Sequence, residues 1–368
     1  MRMTETISTA TLQQRMNHGE SFAVFDIRSK NAFQNWLIQG NSLQGVNVPY
    51  YDFKENEVND TLLRNDTTIV FLSFSDVTQD KMMERLSQKG YRIMELLGGW
   101  QEWSNFYMTS TVITSPEMKL IQVHRLATGC LSYVLITGQQ CAIIDPSIHV
   151  DQYLSMAERE HAKVTHILET HVHADHISGA QELLKRTSAR YMISHAEIHH
   201  HALDVERLKR GTIHIGSTDI HVMILDTEGE TRGNSLFVID QAILSGDTIS
   251  VGEVGIPDMS GVAKEWAEKL FNTVLRDVSG LSDDLLILPA HFADIQAVNR
   301  SGYVGAVLAD LRLGSEAMTR VSLTHFSQRP KDFVAALHPI SDDIKEMNLL
   351  LKDFDMMEGL AAEREVRT

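Results

Sequence analysis

The sequence predicts two domains of different α/β architecture, followed by a helical C-terminal extension. At 368 residues, the chain is long enough for two or three domains. Only one of its 17 histidines lies in the first hundred residues, whereas twelve lie between His149 and His221. The pattern of strands and helices changes over the same interval. The expected regions are a first domain at 1–108, a linker at 109–118, a second domain at 119–315 and the extension at 316–368.

Charge and cysteine content restrict the class of protein. The 33 basic and 49 acidic residues give a formal charge of −16, which argues against a nucleic acid or an anionic membrane as partner. No apolar run approaches the roughly 20 residues of a membrane span. The only two cysteines, Cys130 and Cys141, cannot form a disulfide framework, and this fits a reducing cytoplasm. We therefore expect a cytoplasmic enzyme or binding protein.

In the first domain, short apolar runs alternate with a helical segment. Strands are expected at 23–27, 68–73 and 92–97, and a helix at 80–89 that Gly90 ends. Because strands separated by helices form parallel sheets covered on both faces, we expect a parallel-sheet α/β domain.

In the second domain, short strands follow one another with helices interposed. This pattern predicts two mixed sheets packed as an αββα sandwich. Strands are expected at 130–136, 142–144, 164–168, 189–193, 212–215, 221–225, 235–239, 242–244 and 285–288. Helices are expected at 177–186, around Trp266, Leu270, Val274 and Val278, and after Gly314, where Ile344, Met347, Leu351 and Phe354 form a packing face.

Three motifs of the first domain occur in a characteristic order. They are Asp26-Ile27-Arg28, then Gly45-Val46-Asn47-Val48-Pro49, and then Leu97-Gly98-Gly99-Trp100-Gln101-Glu102-Trp103. Over residues 8–107 the chain thereby resembles a rhodanese domain. The resemblance implies a sulfur-carrying cysteine after the central strand, but Ser73 stands at that position and no cysteine precedes Cys130. We expect a docking or scaffolding module instead of a sulfur carrier.

The segment Thr170-His171-Val172-His173-Ala174-Asp175-His176 is the strongest functional signal in the sequence. It lies between an apolar strand and a helix. His171 and His173 are two residues apart in an extended segment, so their side chains point the same way and can share a metal. Borderline divalent cations bind imidazole and carboxylate readily. The segment therefore predicts a metal site, whereas His199-His200-His201 is expected to be a solvated surface.

The order of motifs around this segment resembles the metallo-β-lactamase superfamily over residues 122–314. Asp145 follows an early hairpin, Asp247 follows a late hairpin in Ser245-Gly246-Asp247-Thr248, and His291 follows a strand. The resemblance implies metal ligands at His171, His173, Asp175, His176, Asp247 and His291. The superfamily's Pro-Gly-His-Thr histidine corresponds to Glu230. Two interpretations of Glu230 stay open: a carboxylate ligand, or a site that has lost its ligand.

Further stretches resemble the persulfide dioxygenase group, which is close to the glyoxalase II hydrolases. They are Gly129-Cys130-Leu131-Ser132-Tyr133, Val254-Gly255-Ile256-Pro257-Asp258 and Pro289-Ala290-His291-Phe292-Ala293. The resemblance implies one non-haem Fe(II), with zinc as the alternative, held by His171, Glu230 and Asp247. It also implies catalytic roles for His171, Asp175 and Asp247, a persulfide of glutathione, coenzyme A or a similar thiol as substrate, and a homo-oligomer. Ile256 stands where the group usually has Arg.

Two other functions are compatible with the same residues. One is a metal-dependent thioester hydrolase of the glyoxalase II type, in which a bimetallic site generates hydroxide. The other is a non-catalytic sensor or binding protein of sulfur metabolism. Ser73, Glu230 and Ile256 all depart from the expected patterns while the residues around them are retained, which indicates reduced or altered chemistry on a preserved fold.

Overall fold

The N-terminal region is built on a five-stranded parallel sheet. The computed structural model describes residues 5–27, 43–48, 67–72, 77–194, 205–224, 234–251, 280–292, 297–314, 344 and 347–348. The first strands are β1 (Glu5–Ile7), β2 (Phe22–Asp26), β3 (Leu43–Asn47), β4 (Thr68–Leu72) and β5 (Arg92–Leu96). They lie in the order β1-β5-β4-β2-β3, and every pairing is parallel.

Among the described residues of this region, three helices accompany the sheet: α1 (Thr9–Asn17), α2 (Val77–Gln88) and α3 (Gly99–Ser104). Helix α1 begins where the Ser8 hydroxyl accepts a hydrogen bond from the Thr11 backbone amide at 3.1 Å. After α2 the chain turns at Gly90, whose φ of 94° suits glycine. Strands β2 and β4 are buried along their whole length, as expected for parallel strands covered on both faces. The predicted α/β class is confirmed.

A seven-stranded mixed sheet follows. Its strands are β6 (Tyr107–Thr114), β7 (Lys119–Arg125), β8 (Cys130–Thr137), β9 (Gln140–Ile144), β10 (Lys163–Leu168), β11 (Arg190–Ser194) and β12 (Val205–Leu208). Strands β6 to β9 form an antiparallel meander, and β9 to β12 are parallel neighbours. Helix α4 (Asp151–Arg159) connects β9 to β10, and helix α5 (Ala180–Arg186) connects β10 to β11.

The third sheet has six strands and is antiparallel apart from one pair. It consists of β13 (Gly211–Ile215), β14 (Thr218–Ile224), β15 (Ser235–Ile239), β16 (Ala242–Gly246), β17 (Leu286–Pro289) and β18 (Ala306–Val307), followed by helix α6 (Leu308–Gly314). Strands β16 and β17 are the parallel pair. Their carboxyl ends therefore lie side by side.

The second and third sheets pack together as a sandwich. Leu135 and Leu168 of the seven-stranded sheet share one buried cluster with Phe237 and Leu288 of the six-stranded sheet. The opposite faces are covered by helices: Tyr153 of α4 and Leu183 of α5 pack on the seven-stranded sheet, and Leu308 of α6 packs on the six-stranded sheet. Burial of each such side chain contributes about 1.5–3 kcal/mol. The predicted αββα arrangement is confirmed.

The structure corrects the predicted linker. Residues 109–114 of the predicted linker at 109–118 belong to edge strand β6, which pairs with β7 from Tyr107 opposite Arg125 to Thr114 opposite Lys119. The segment is polar because it lies at an edge, but its Thr, Val and Ile residues are typical of strands. The helix predicted at 177–186 begins three residues later, at Ala180.

Parts of the predicted C-terminal helices can be compared with the structure. Ile344 and Met347 are buried, in agreement with a packing face. Leu351 and Phe354, and the helix around Trp266, lie outside the described residues. Among the helices that the structure does describe, none combines the length and the apolar character needed to cross a membrane.

Candidate metal centre

The polar cluster lies where two pairs of parallel strands end. Strands β9 and β10 are parallel neighbours in one sheet, and β16 and β17 are parallel neighbours in the other. Asp145 follows β9, the segment 170–176 follows β10, Asp247 follows β16 and His291 follows β17. Loops at the carboxyl ends of strands combine a rigid base with accessible side chains. The fold thus brings four distant stretches of sequence to one place.

Asp145 anchors the start of the histidine segment. Its carboxylate accepts hydrogen bonds from the Thr170 backbone amide at 2.7 Å and from the Thr170 hydroxyl at 2.9 Å. Asp145 itself has a φ of 50°, a left-handed conformation that few residues other than glycine adopt. Backbone strain of this kind is typical of functional sites.

These bonds fix the tautomer of His171. Because the Thr170 hydroxyl donates to Asp145, its oxygen is left to accept from His171 Nδ1 at 2.9 Å. His171 Nε2 then carries a lone pair, and it lies 3.3 Å from Asp247 Oδ2. Gly246 permits this approach, since a Cβ there would lie 3.0 Å from Thr170.

Asp145, Thr170 and His171 form one group of side chains, and a second group surrounds Asp175. His176 Nδ1 lies 3.0 Å from Asp175 Oδ1, and His291 Nε2 lies 3.2 Å from Asp175 Oδ2. His291 Nδ1 is 2.6 Å from Asp247 Oδ1. Asp247 therefore stands between the two groups, with one oxygen towards His171 and the other towards His291.

Unpartnered nitrogens test whether the site fits a metal. Four buried ring nitrogens of the cluster have no hydrogen-bond partner among the described residues: His173 Nδ1 and Nε2, His176 Nε2 and His291 Nε2. The ring of His173 lies 4.2 Å from that of His171 and 4.1 Å from that of His176, centroid to centroid. Buried polar atoms without partners are costly unless a ligand satisfies them. The donor set of imidazoles and carboxylates fits a divalent cation.

The charges within the cluster also fit a divalent cation. Burial opposes ionisation of Asp175 and Asp247, but the charges of neighbouring histidines outweigh it and hold both pKa values well below the usual range. Burial likewise lowers the pKa of His291, yet these two carboxylates outweigh it and raise that pKa well above its usual value. His176 and His291 thus pair with Asp175 and Asp247, and a metal would displace the protons of these two imidazoles.

One side of the cluster is open. The side chains of His171, His173 and His176 are almost completely buried, whereas Asp175 is 33% exposed, Asp247 21% and His291 23%. A substrate would approach from the side on which Asp175, Asp247 and His291 lie.

Sequence reasoning missed three residues at this site. Glu169 lies 3.3 Å from His173 Nε2 and accepts a hydrogen bond from Ser178. Asn348 donates to the backbone carbonyls of His173 and His176 and accepts from the Ser178 amide. Cys130 Sγ lies 3.8 Å from Asp175 Oδ2.

The thiol of Cys130 is electrostatically unusual. Burial is the largest single influence and opposes its ionisation, but the positive charge of His176 and hydrogen bonding from His176 and His291 together outweigh burial and lower the pKa of Cys130 to about 5. No pattern in the sequence places Cys130 at the site, because its position depends on strand pairing.

Six of the seven candidate ligands are thus brought together: His171, His173, Asp175, His176, Asp247 and His291. The seventh, Glu230, lies outside the described residues, as do Ser73 and Ile256. Their roles therefore stay predictions.

Known proteins resemble both halves of the chain. Residues 8–106 match the Rhodanese-like domain, and residues 126–291 match the Metallo-beta-lactamase superfamily. The chain is 26% identical over 160 residues to the probable polyketide biosynthesis zinc-dependent hydrolase PksB of Bacillus subtilis (strain 168), a match that covers 42% of this chain and 69% of that protein.

The hydroxyacylglutathione hydrolase of Rhodospirillum rubrum is 30% identical over 141 residues, covering 36% of this chain and 53% of that protein. The chain thus spans about half the length of that relative. A crystal structure of a metallo-beta-lactamase from Staphylococcus aureus subsp. aureus COL aligns with a TM-score of 0.55 at 21% identity, over 65% of this chain and 74% of that one, and shows the shared fold. Residues 8–106 therefore form a rhodanese-like domain, and residues 126–291 form a metallo-β-lactamase-superfamily domain.

Proposed function

We propose that the chain is a metal-dependent enzyme that acts on low-molecular-weight thiol compounds, and that it oxidises a thiol persulfide. In the balanced reaction, one persulfide, one dioxygen and one water give the free thiol, sulfite and two protons. The convergence of four imidazoles with Asp175 and Asp247 carries the metal dependence. The rhodanese-like domain in the same chain supports sulfur chemistry.

The residues of the chain prepare the site in two ways. Thr170 and Asp145 hold His171 in the tautomer that presents Nε2. Asp247 orients His291 through Nδ1, so that Nε2 faces Asp175. A bound iron would supply Lewis acidity and redox chemistry towards dioxygen, whereas zinc would supply Lewis acidity alone.

Oxygen uptake tests the proposal. With glutathione persulfide or coenzyme A persulfide as substrate, we expect uptake that follows the iron content of the protein. His171→Ala and Asp247→Ala should each abolish it, because each removes a proposed ligand. His221→Ala, at an exposed position of β14, is the matched control and should retain full uptake. Unchanged uptake in Asp247→Ala would place the chemistry elsewhere.

Hydrolysis of a thioester is the second candidate function. The relatives named as hydrolases favour it, as does the complete group of Asp175, His176, Asp247 and His291, which offers a second metal position beside His171 and His173. Zinc-loaded protein would then cleave an acyl-glutathione without consuming oxygen. Turnover of the thioester combined with no persulfide-dependent uptake would replace the first proposal by this one. A folded, metal-loaded protein that is silent in both assays would indicate a sensor or binding protein.

A further inference from the structure

Cys130 is held at the metal centre by the backbone. It is the first residue of β8, and it forms an isolated antiparallel bridge with His291. The Leu131 amide donates to the Ala290 carbonyl at 2.7 Å, and the Phe292 amide donates to the Gly129 carbonyl at 2.9 Å. One hydrogen bond on each side of the Cys130–His291 pair therefore fixes the Cys130 thiol beside the His291 imidazole. This placement does not depend on side-chain packing alone.

The surroundings of the sulfur atom are those of a ligand. One ligand atom from each of Cys130, Asp175, His176 and His291 lies within 4.8 Å of all the others. At metal–ligand bond lengths of about 2.0–2.3 Å, two ligands of a tetrahedral ion are roughly 3.5 Å apart. Asp175 Oδ2 lies 3.8 Å from Cys130 Sγ and 3.2 Å from His291 Nε2. One of these distances is slightly above the tetrahedral separation and the other slightly below it.

Two further observations fit a metal site at Cys130. His176 is almost fully buried, and its Nε2 has no hydrogen-bond partner among the described residues. The Thr128 hydroxyl donates to Cys130 Sγ at 3.0 Å. Hydrogen bonds from neighbouring groups to ligand atoms are the usual outer layer of a metal site, and here the donor points at the sulfur.

We propose that Cys130 is a metal ligand, which with Asp175, His176 and His291 forms a four-residue site for a thiophilic divalent cation. One thiolate, two imidazoles and one carboxylate suit zinc, since zinc binds sulfur, nitrogen and oxygen donors in tetrahedral sites. The position formed by His171, His173 and Asp247 has no sulfur donor among the described residues. The two positions therefore differ in how strongly their ligands favour a thiophilic metal. This inference rests on the metal centre of the proposed function and is independent of the reaction catalysed there.

The chain contains its own control. Cys141 is its only other cysteine, and it is buried at the beginning of β9 between Val134, Ile136 and Val164. Asp145 follows strand β9 and lies four residues after Cys141, which places the Cα atoms of the two residues about 13 Å apart. A spectroscopic signal from a metal-bound thiolate must therefore come from Cys130.

Cobalt substitution tests the ligand directly. The full-length protein is stripped of metal, titrated with Co²⁺, and followed by absorption. We expect visible d–d bands of a four-coordinate ion together with a near-ultraviolet thiolate-to-cobalt charge-transfer band. Cys130→Ala should lose the charge-transfer band and bind Zn²⁺ at least tenfold more weakly, whereas Cys141→Ala should keep both. Cys130→Ser, which preserves the size of the side chain, guards against a folding defect, and it should retain the d–d bands without the charge-transfer band.

The outcomes separate this inference from the proposed function. Cobalt bound with d–d bands but no charge-transfer band in the wild-type protein overturns the assignment of Cys130 and leaves the metal centre intact. A charge-transfer band that survives in Cys130→Ser also overturns it. No cobalt uptake by folded protein overturns the metal centre and the inference together.

Discussion

A buried histidine that is not a candidate metal ligand makes the stability of this fold sensitive to pH. His124, in β7, is buried, and neither of its ring nitrogens has a hydrogen-bond partner among the described residues. Burial alone lowers the pKa of His124 to about 4 from an ordinary value of 6.5. The unfolded chain therefore binds a proton more readily than the folded one. Stability is fully present above pH 6.5 and is lost as the pH falls towards 4.

As the pH falls from 6.5 to 4, we expect the protonation equilibrium of His124 to lower the free energy of unfolding by about 3 kcal/mol, which gives a slope of unfolding free energy against pH. Denaturant unfolding at several pH values measures this slope. His124→Leu should reduce this slope, because one of the buried histidines that take up a proton in this range is gone. The same change at exposed His221 should leave it unchanged. A slope that is identical in the wild-type protein and in His124→Leu would contradict the prediction.

We propose that Glu230 affects the metal position formed by His171, His173 and Asp247. If it is a ligand, one histidine and two carboxylates carry one more negative charge than the usual set. We expect Glu230→His to raise both the iron content per chain and the persulfide oxidation. Glu230→Ala should lower iron content if Glu230 is a ligand, and should have little effect if the site has lost that ligand. Mass spectrometry of iron in the three proteins measures this. One iron per wild-type chain, unchanged in Glu230→His, would make the substitution functionally neutral.

Among structural elements, the C-terminal segment has a direct role at the histidine loop. Asn348 makes three hydrogen bonds of 2.8–3.0 Å to backbone groups of His173, His176 and Ser178. Replacement by leucine leaves these buried groups unpaired, at about 1–3 kcal/mol each. We expect Asn348→Leu to lower the unfolding free energy by about 3 kcal/mol and to weaken zinc binding about tenfold.

A matched control for Asn348 lies on helix α5. Gln181 donates to the Met347 carbonyl at 3.0 Å and thus joins the same C-terminal segment without touching the loop. Gln181→Ala should therefore leave zinc affinity unchanged. Equal losses of zinc affinity in Asn348→Leu and Gln181→Ala would show that the C-terminal segment affects zinc binding only through the stability of the folded protein.

Elements differ in how far the sequence could predict them. The loop 170–176 could be located because its ligands are contiguous and lie between a buried strand and a helix. Cys130 and Asn348 could not, because one is placed by pairing with His291 and the other by a segment about 170 residues further along the chain. The sequence predicts a linker where residues 109–114 form part of strand β6, because edge strands carry polar side chains.

For the whole molecule, the N-terminal domain should not transfer sulfur. Ser73 stands where a rhodanese carries its nucleophilic cysteine, and a serine hydroxyl cannot hold sulfane sulfur. We expect no thiosulfate:cyanide sulfurtransferase activity. Turnover that persists in a Cys130→Ala/Cys141→Ala double variant, which has no thiol, would refute the argument.

The two domains share one buried core, and this predicts how the molecule unfolds. Trp103 and Phe106, at the end of the rhodanese-like domain, belong to the same cluster as Leu126 and Ala127, at the start of the metallo-β-lactamase domain. Buried Arg125 donates from Nε to the Ser104 carbonyl at 3.1 Å. Domains joined only by a flexible linker unfold separately, whereas a continuous core couples them.

We therefore expect a single calorimetric transition for the full chain, coincident with the loss of far-ultraviolet circular dichroism. Trp103→Ala removes a fully buried aromatic ring, at about 3–5 kcal/mol, and should lower the midpoint of that one transition or split it in two. Leu97→Ala, at a position 50% exposed, is the control and should shift the midpoint little. Two well-separated transitions in the wild-type protein would show that the domains unfold independently, in spite of the cluster that Trp103 and Leu126 share.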